Sequence, residues 1–111
     1  MATYLMMVKY TPEVCARFAD GGFESRKAAV SASVKSTGGE LVEFWAVNSP
    51  EWNVVMVVES DFSGAEGVAG IVLNYGVGHI ERWAQFELVD SATADAAISA
   101  MTGTQVAAPS S

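Results

Sequence analysis

The chain has 111 residues, a formal charge of −7, and half of its residues are hydrophobic. That length suits one domain with a single core, and the hydrophobic content excludes intrinsic disorder, while no apolar run approaches the roughly 20 residues of a membrane span. Between residues 40 and 95 there are ten acids and one base, Arg82, a balance that repels phosphate backbones and argues against a nucleic-acid partner.

Residues 3–10 (TYLMMVKY) are rich in aromatic and apolar side chains and read as a strand. The chain start has no basic region ahead of its short apolar stretch, so it does not read as a signal peptide, and a soluble, cytoplasmic protein is the default expectation. Thr11-Pro12-Glu13 then supplies a helix N-cap, a proline for the first turn and an early acid. Val14 and Phe18 share a helical face, Gly21-Gly22 interrupts the pattern, and it resumes through Ser36 before Gly38-Gly39 ends it. The first helix is therefore expected to be broken. Its Cys15, the sole cysteine, sits among Val14, Ala16 and Phe18 and reads as a small buried thiol.

Residues 40–47 (ELVEFWAV) and 52–59 (WNVVMVVE) are two strand-like runs joined by Asn48-Ser49-Pro50-Glu51, a connection with turn chemistry. Ser63 with Glu66 forms a capping box, and Val68, Ile71, Val72 and Tyr75 continue at helical spacing until Gly76 and Gly78. Gly64, Gly67 and Gly70 in this second helix step by three, a pattern that would let its backbone approach a sheet closely. Residues 79–89 (HIERWAQFELV) alternate and form the fourth strand. Asp90 or Ser91 caps a short alanine-rich helix ending near Met101. Residues 1–101 thus make one domain, and 102–111 have the composition of a flexible tail.

The order β-α-β-β-α-β is the ferredoxin-like, split βαβ arrangement of the α+β class, expected here as a mixed four-stranded sheet with two helices on one face. The first and third strands are apolar on both faces, so the face without helices would be a large apolar patch. A homodimer packing sheet against sheet is the simplest cover.

Several segments resemble the GYD-domain group of the dimeric α/β barrel superfamily: the opening T-Y-L-M-M-V-K-Y-T-P-E, Arg26 early in the first helix, G-G-E-L-V-E-F-W from Gly38, and the V-V-M-V-V-E strand. At the position of the group's Gly-Tyr-Asp turn this chain reads Glu51-Trp52-Asn53. The resemblance implies two sheets enclosing a cavity. Superfamily relatives include cofactor-independent monooxygenases, isomerases, cyclases, dehydratases and plain ligand binders, so it narrows the chemistry little.

Strict alternation along the fourth strand would place His79, Glu81, Trp83, Gln85 and Glu87 on the open face, and Ile80, Ala84, Phe86 and Leu88 against the helices, with Arg82 an exception on the apolar side. In the second strand it would send Leu41, Glu43 and Trp45 to the open face, and Val42, Phe44 and Ala46 inward. On that reading Trp45 and Trp83, with Gln85 and Tyr75, wall a pocket for a planar aromatic or polyketide-like molecule, and His79, Glu81 or Glu43 moves a proton. The competing reading makes the tryptophans interface anchors and the carboxylates solvated rim residues. No cofactor is implied, and one histidine with one cysteine is a poor metal-ligand set. The expected function is a small cofactor-independent enzyme of isomerase, cyclase or oxygenase type. The alternative is a non-catalytic, ligand-binding or regulatory dimer.

Overall fold

The computed structural model describes residues 1–102. Its elements are β1 (Ala2–Tyr10), α1 (Pro12–Ser36), β2 (Glu40–Ala46), β3 (Val54–Ser60), α2 (Gly64–Gly76), β4 (Ile80–Leu88) and α3 (Ser91–Thr102). The four strands form one sheet in the order β2-β3-β1-β4, and the fold is the ferredoxin-like α+β arrangement. Every adjacent pair runs antiparallel, so the sheet is not mixed as expected. The parallel relation holds only between strands that are not neighbours: β1 with β2, which flank β3, and β3 with β4, which flank β1. The tail expected over 102–111 lies outside the described residues except for Thr102, which closes α3.

The core lies between the sheet and the helices. Met6, Val8 and Tyr10 of β1, Val54, Met56 and Val58 of β3, Ile80 of β4 and Val14 of α1 are buried together. Burying one such side chain contributes about 1.5–3 kcal/mol, and the alternation along β1 and β3 directs these residues to one side.

The first helix breaks where glycine permits it. Gly22 has φ 75° and ψ 171°, a conformation with φ well into the positive region that side-chain-bearing residues rarely adopt. The kink lays Phe23 back on Phe18, with ring centroids 4.4 Å apart, and Phe18 meets the edge of Tyr10 at 5.4 Å. At the start of the helix Thr11 takes the N-cap position, but its side chain makes no capping bond. Both halves of the α2 capping box form: Glu66 N donates to Ser63 Oγ at 3.2 Å and Ser63 N donates to Glu66 Oε1 at 2.9 Å.

Asn53 ties the end of β1 to the β2–β3 connection. Its Oδ1 accepts from Tyr10 N at 2.8 Å, its N–H donates to Val8 O at 2.9 Å, and its carbonyl accepts from Val47 N at 3.0 Å. Cys15, half-buried and free, directs its thiol at the same Oδ1 from 3.7 Å. Trp52 precedes β3 and lies under the Arg82 guanidinium, which also pairs with Glu51 at 2.6 Å.

No described helix is long and apolar enough to cross a membrane. Helix α2 turns Val68, Val72 and Leu73 to solvent, Val77 at its C-cap is exposed as well, and α3 buries none of its described residues.

Candidate site: a cavity between sheet and helices

Two β-bulges decide which side chains reach the site. Between β1 and β4 the register pairs Lys9 with Arg82 but Tyr10 with Ile80, leaving Glu81 as the extra residue. One extra residue reverses the facing of all that follow. Trp83 therefore stands opposite Val8 and Gln85 opposite Met6, both on the helix side, while Phe86 faces Leu5 on the open side and is 54% exposed. The expected facing of Trp83, Gln85, Ala84, Phe86 and Leu88 is thus inverted. A second bulge between Leu41 and Glu43 turns Leu41 inward opposite Val58 and leaves Val42 49% exposed. The remaining assignments in β2 stand: Phe44 and Ala46 inward, Glu43 and Trp45 on the open face.

Between the helix-side face of the sheet and the two helices is an open cavity of about 410 Å³. Met6, Val8, Met56 and Val58 form its apolar floor, and Trp83 and Gln85 of β4 line one side. Helix α1 contributes Arg26 and Val30, and α2 contributes Gly67, Gly70 and Asn74, with Glu66 at the exposed mouth. The glycines of α2 do not bring it close to the sheet, as their spacing had suggested. A Cβ at Gly70 would meet nothing within 4 Å, and one at Gly67 would reach only the Phe62 ring, at 3.4 Å. They leave space where side chains would otherwise fill it.

Three polar side-chain atoms are buried without a hydrogen-bond partner among the described residues: Trp83 Nε1, Arg26 Nε and Thr11 Oγ1. The first two belong to residues that line the cavity. An unpaired buried donor costs about 1–3 kcal/mol, so an acceptor brought to either N–H group would be favoured. Arg26 is held by the Tyr10 ring, whose centroid lies 4.7 Å from its guanidinium carbon. That contact depends on the aromatic ladder below the Gly22 kink.

The cavity takes in Trp83 and Gln85 from the residues expected at a site, and omits the rest. Trp45 lies on the opposite face of the sheet, 62% exposed. Tyr75 is exposed on α2, His79 is half-buried just before β4, and Glu81 and Glu43 are exposed; none of them lines the cavity. Sequence reading missed Arg26 as a site residue, although it had been noted in the resemblance, because the register that turns it to the sheet depends on the kink. Among the described residues no three His, Cys, Asp or Glu side chains gather as metal ligands would. No protein-family model, curated protein or solved structure matches this chain.

Proposed function

We propose that this chain is a small-molecule-binding domain that takes a planar, largely apolar ligand in the sheet–helix cavity and works as a homodimer joined through the open sheet faces. The observation that carries the binding reading is the cavity of about 410 Å³ beside Trp83, with an apolar floor and two unpartnered donors. Ligand sites have this composition: mostly apolar walls with a few placed polar groups. The dimeric α/β barrel resemblance supports the dimer, but it implies a cavity enclosed by two sheets, whereas this one lies between the sheet and the helices of one chain.

A catalytic version, a cofactor-independent isomerase, cyclase or oxygenase acting on an aromatic or polyketide-like molecule, has a narrower foothold. Proton transfer needs a titratable group within reach of the ligand, and His79, Glu81 and Glu43 lie outside the cavity. Glu66 is the one carboxylate among its described lining residues, and its Oε1 is engaged by Ser63 N. Binding is therefore the better supported reading.

The dimer half rests on the open face. Trp45, Val55, Met7 and Ala84 form one cross-strand row, and Val57, Leu5 and Phe86 a second. Glu40, Glu43 and Glu59 lie toward one end of this face, and Lys9 and Arg82 at the other. A two-fold axis lying in the interface would set the apolar rows of one copy against those of the next.

Titration with naphthalene tests the binding reading. Saturable quenching of tryptophan fluorescence is expected, and Gly70→Phe, whose ring would enter the void, is expected to abolish it while the far-ultraviolet circular dichroism stays native. Full quenching in Gly70→Phe, or absence of saturable binding by naphthalene, its carboxylate and its carboxamide alike, would overturn the reading.

A further inference from the structure

We infer that the cavity selects planar ligands bearing an oxyanion, such as a carboxylate, phenolate or enolate, and that Arg26 and Trp83 are the residues that read it. This rests on the cavity being a binding site. Both unpartnered groups are donors that cannot accept: indole N–H has no acceptor capacity, and neither has guanidinium. A ligand that satisfies both must therefore present acceptor atoms. One of the two donors also carries a full charge, and a hydrogen bond between a cation and an anion is stronger than one to a neutral carbonyl.

Arg26 is available for that role. The two ion pairs among the described residues are Met1 N-terminal amine with Asp61 and Arg82 with Glu51, so Arg26 has no carboxylate of its own. Among the described residues Lys9, Arg17, Lys27 and Lys35 also lie outside any ion pair; Arg26 differs from them in lining this cavity, where its side chain is half-buried. The Tyr10 ring holds the guanidinium carbon 4.7 Å from its centroid, a contact to the ring face that uses none of the guanidinium N–H groups as hydrogen-bond donors. The floor of Met6, Val8, Met56 and Val58 suits the flat apolar part of such a molecule. Glu66 is the opposing charge to consider; it is exposed at the mouth and held by Ser63 N at 2.9 Å. The net charge of −7 disfavours anions at long range, so selection is made at contact by Arg26.

Calorimetric titration of the full chain with 2-naphthoate and with its neutral isostere 2-naphthamide separates charge from shape. Naphthoate is expected to bind at least about tenfold more tightly, the scale of one charge-assisted bond. Arg26→Gln should bring naphthoate to the affinity of naphthamide and leave naphthamide itself nearly unchanged. Trp83→Phe, which keeps an aromatic ring and removes the N–H, should weaken naphthoate by roughly threefold to tenfold, again the scale of one lost hydrogen bond, and it carries the test if Arg26→Gln fails to fold. Equal affinities for the two probes, or naphthoate binding unaffected by Trp83→Phe and by a folded Arg26→Gln, would overturn the inference and leave the binding reading intact. Naphthoate that fails to bind while naphthalene quenches would do the same, and failure of all three probes would remove both.

Discussion

A Cβ added at Gly70 would find no atom within 4 Å, whereas one added at Gly39 would stand 2.9 Å from the Glu59 carbonyl oxygen and 3.0 Å from Val34 Cγ1. The two glycines look alike in sequence and do opposite things. Gly39 lets the end of α1 pass close to β3; Gly70 keeps a cavity wall empty. Gly70→Ala is expected to raise stability by up to about 1 kcal/mol, because alanine loses less backbone freedom in a helix and meets no clash. Gly39→Ala is expected to lower it by about 1–3 kcal/mol through overpacking against backbone. Urea denaturation of both variants checks the pair, and the same sign for both would contradict the described packing.

At the scale of the element, caps and bulges outweigh propensity. Asp90 Oδ1 accepts from Thr93 N at 2.8 Å as the N-cap of α3, and that backbone hydrogen bond holds its carboxyl below the ordinary 3.8. A group with a depressed folded pKa contributes stability above its unfolded value and loses it as the pH falls through the folded one. The cap of α3 therefore weakens progressively as the pH falls through that depressed value. The Thr93 amide chemical shift is expected to titrate with a midpoint below 3.8, and Asp90→Asn to flatten that titration. A midpoint at or above 3.8 would show that the cap does not form. The bulges act on strands with more effect. The extra residue at Glu81 moves Trp83 from the open face to the cavity, so one residue of register decides whether this tryptophan meets a ligand or a second chain.

For the whole molecule, the exposed apolar rows of the open face are the feature to be explained. A patch of several hundred Å² of this kind is roughly what a monomer seldom leaves uncovered. Sedimentation at micromolar concentration is expected to return twice the chain mass. Phe86→Glu, at a residue 54% exposed on that face, is expected to shift the population to monomer by placing unpaired charges in the contact. Trp83→Ala, on the other side of the sheet, should leave the mass unchanged. A monomer in the unaltered protein would remove the dimer, and dissociation by Trp83→Ala would contradict the helix-side facing of β4.

The order of elements, the break at Gly22, the capping box at Ser63 and Glu66, and the apolarity of β1 and β3 on both faces were legible in the residues themselves. Each depends on interactions within a few positions or on a repeat of two along a strand. The facing of Leu41, Val42 and the second half of β4 was not, because a bulge arises from pairing with a distant strand; its one local trace in β4 was Arg82, a charge at a position that strict alternation turns inward. For the same reason Trp83 was legible as an aromatic of interest but not as a cavity residue, and Arg26 was not legible as a site residue at all. Its place was decided by a kink, by a ring stack on Tyr10, and by a helix that stands away from the sheet where glycine leaves no side chain to close the gap.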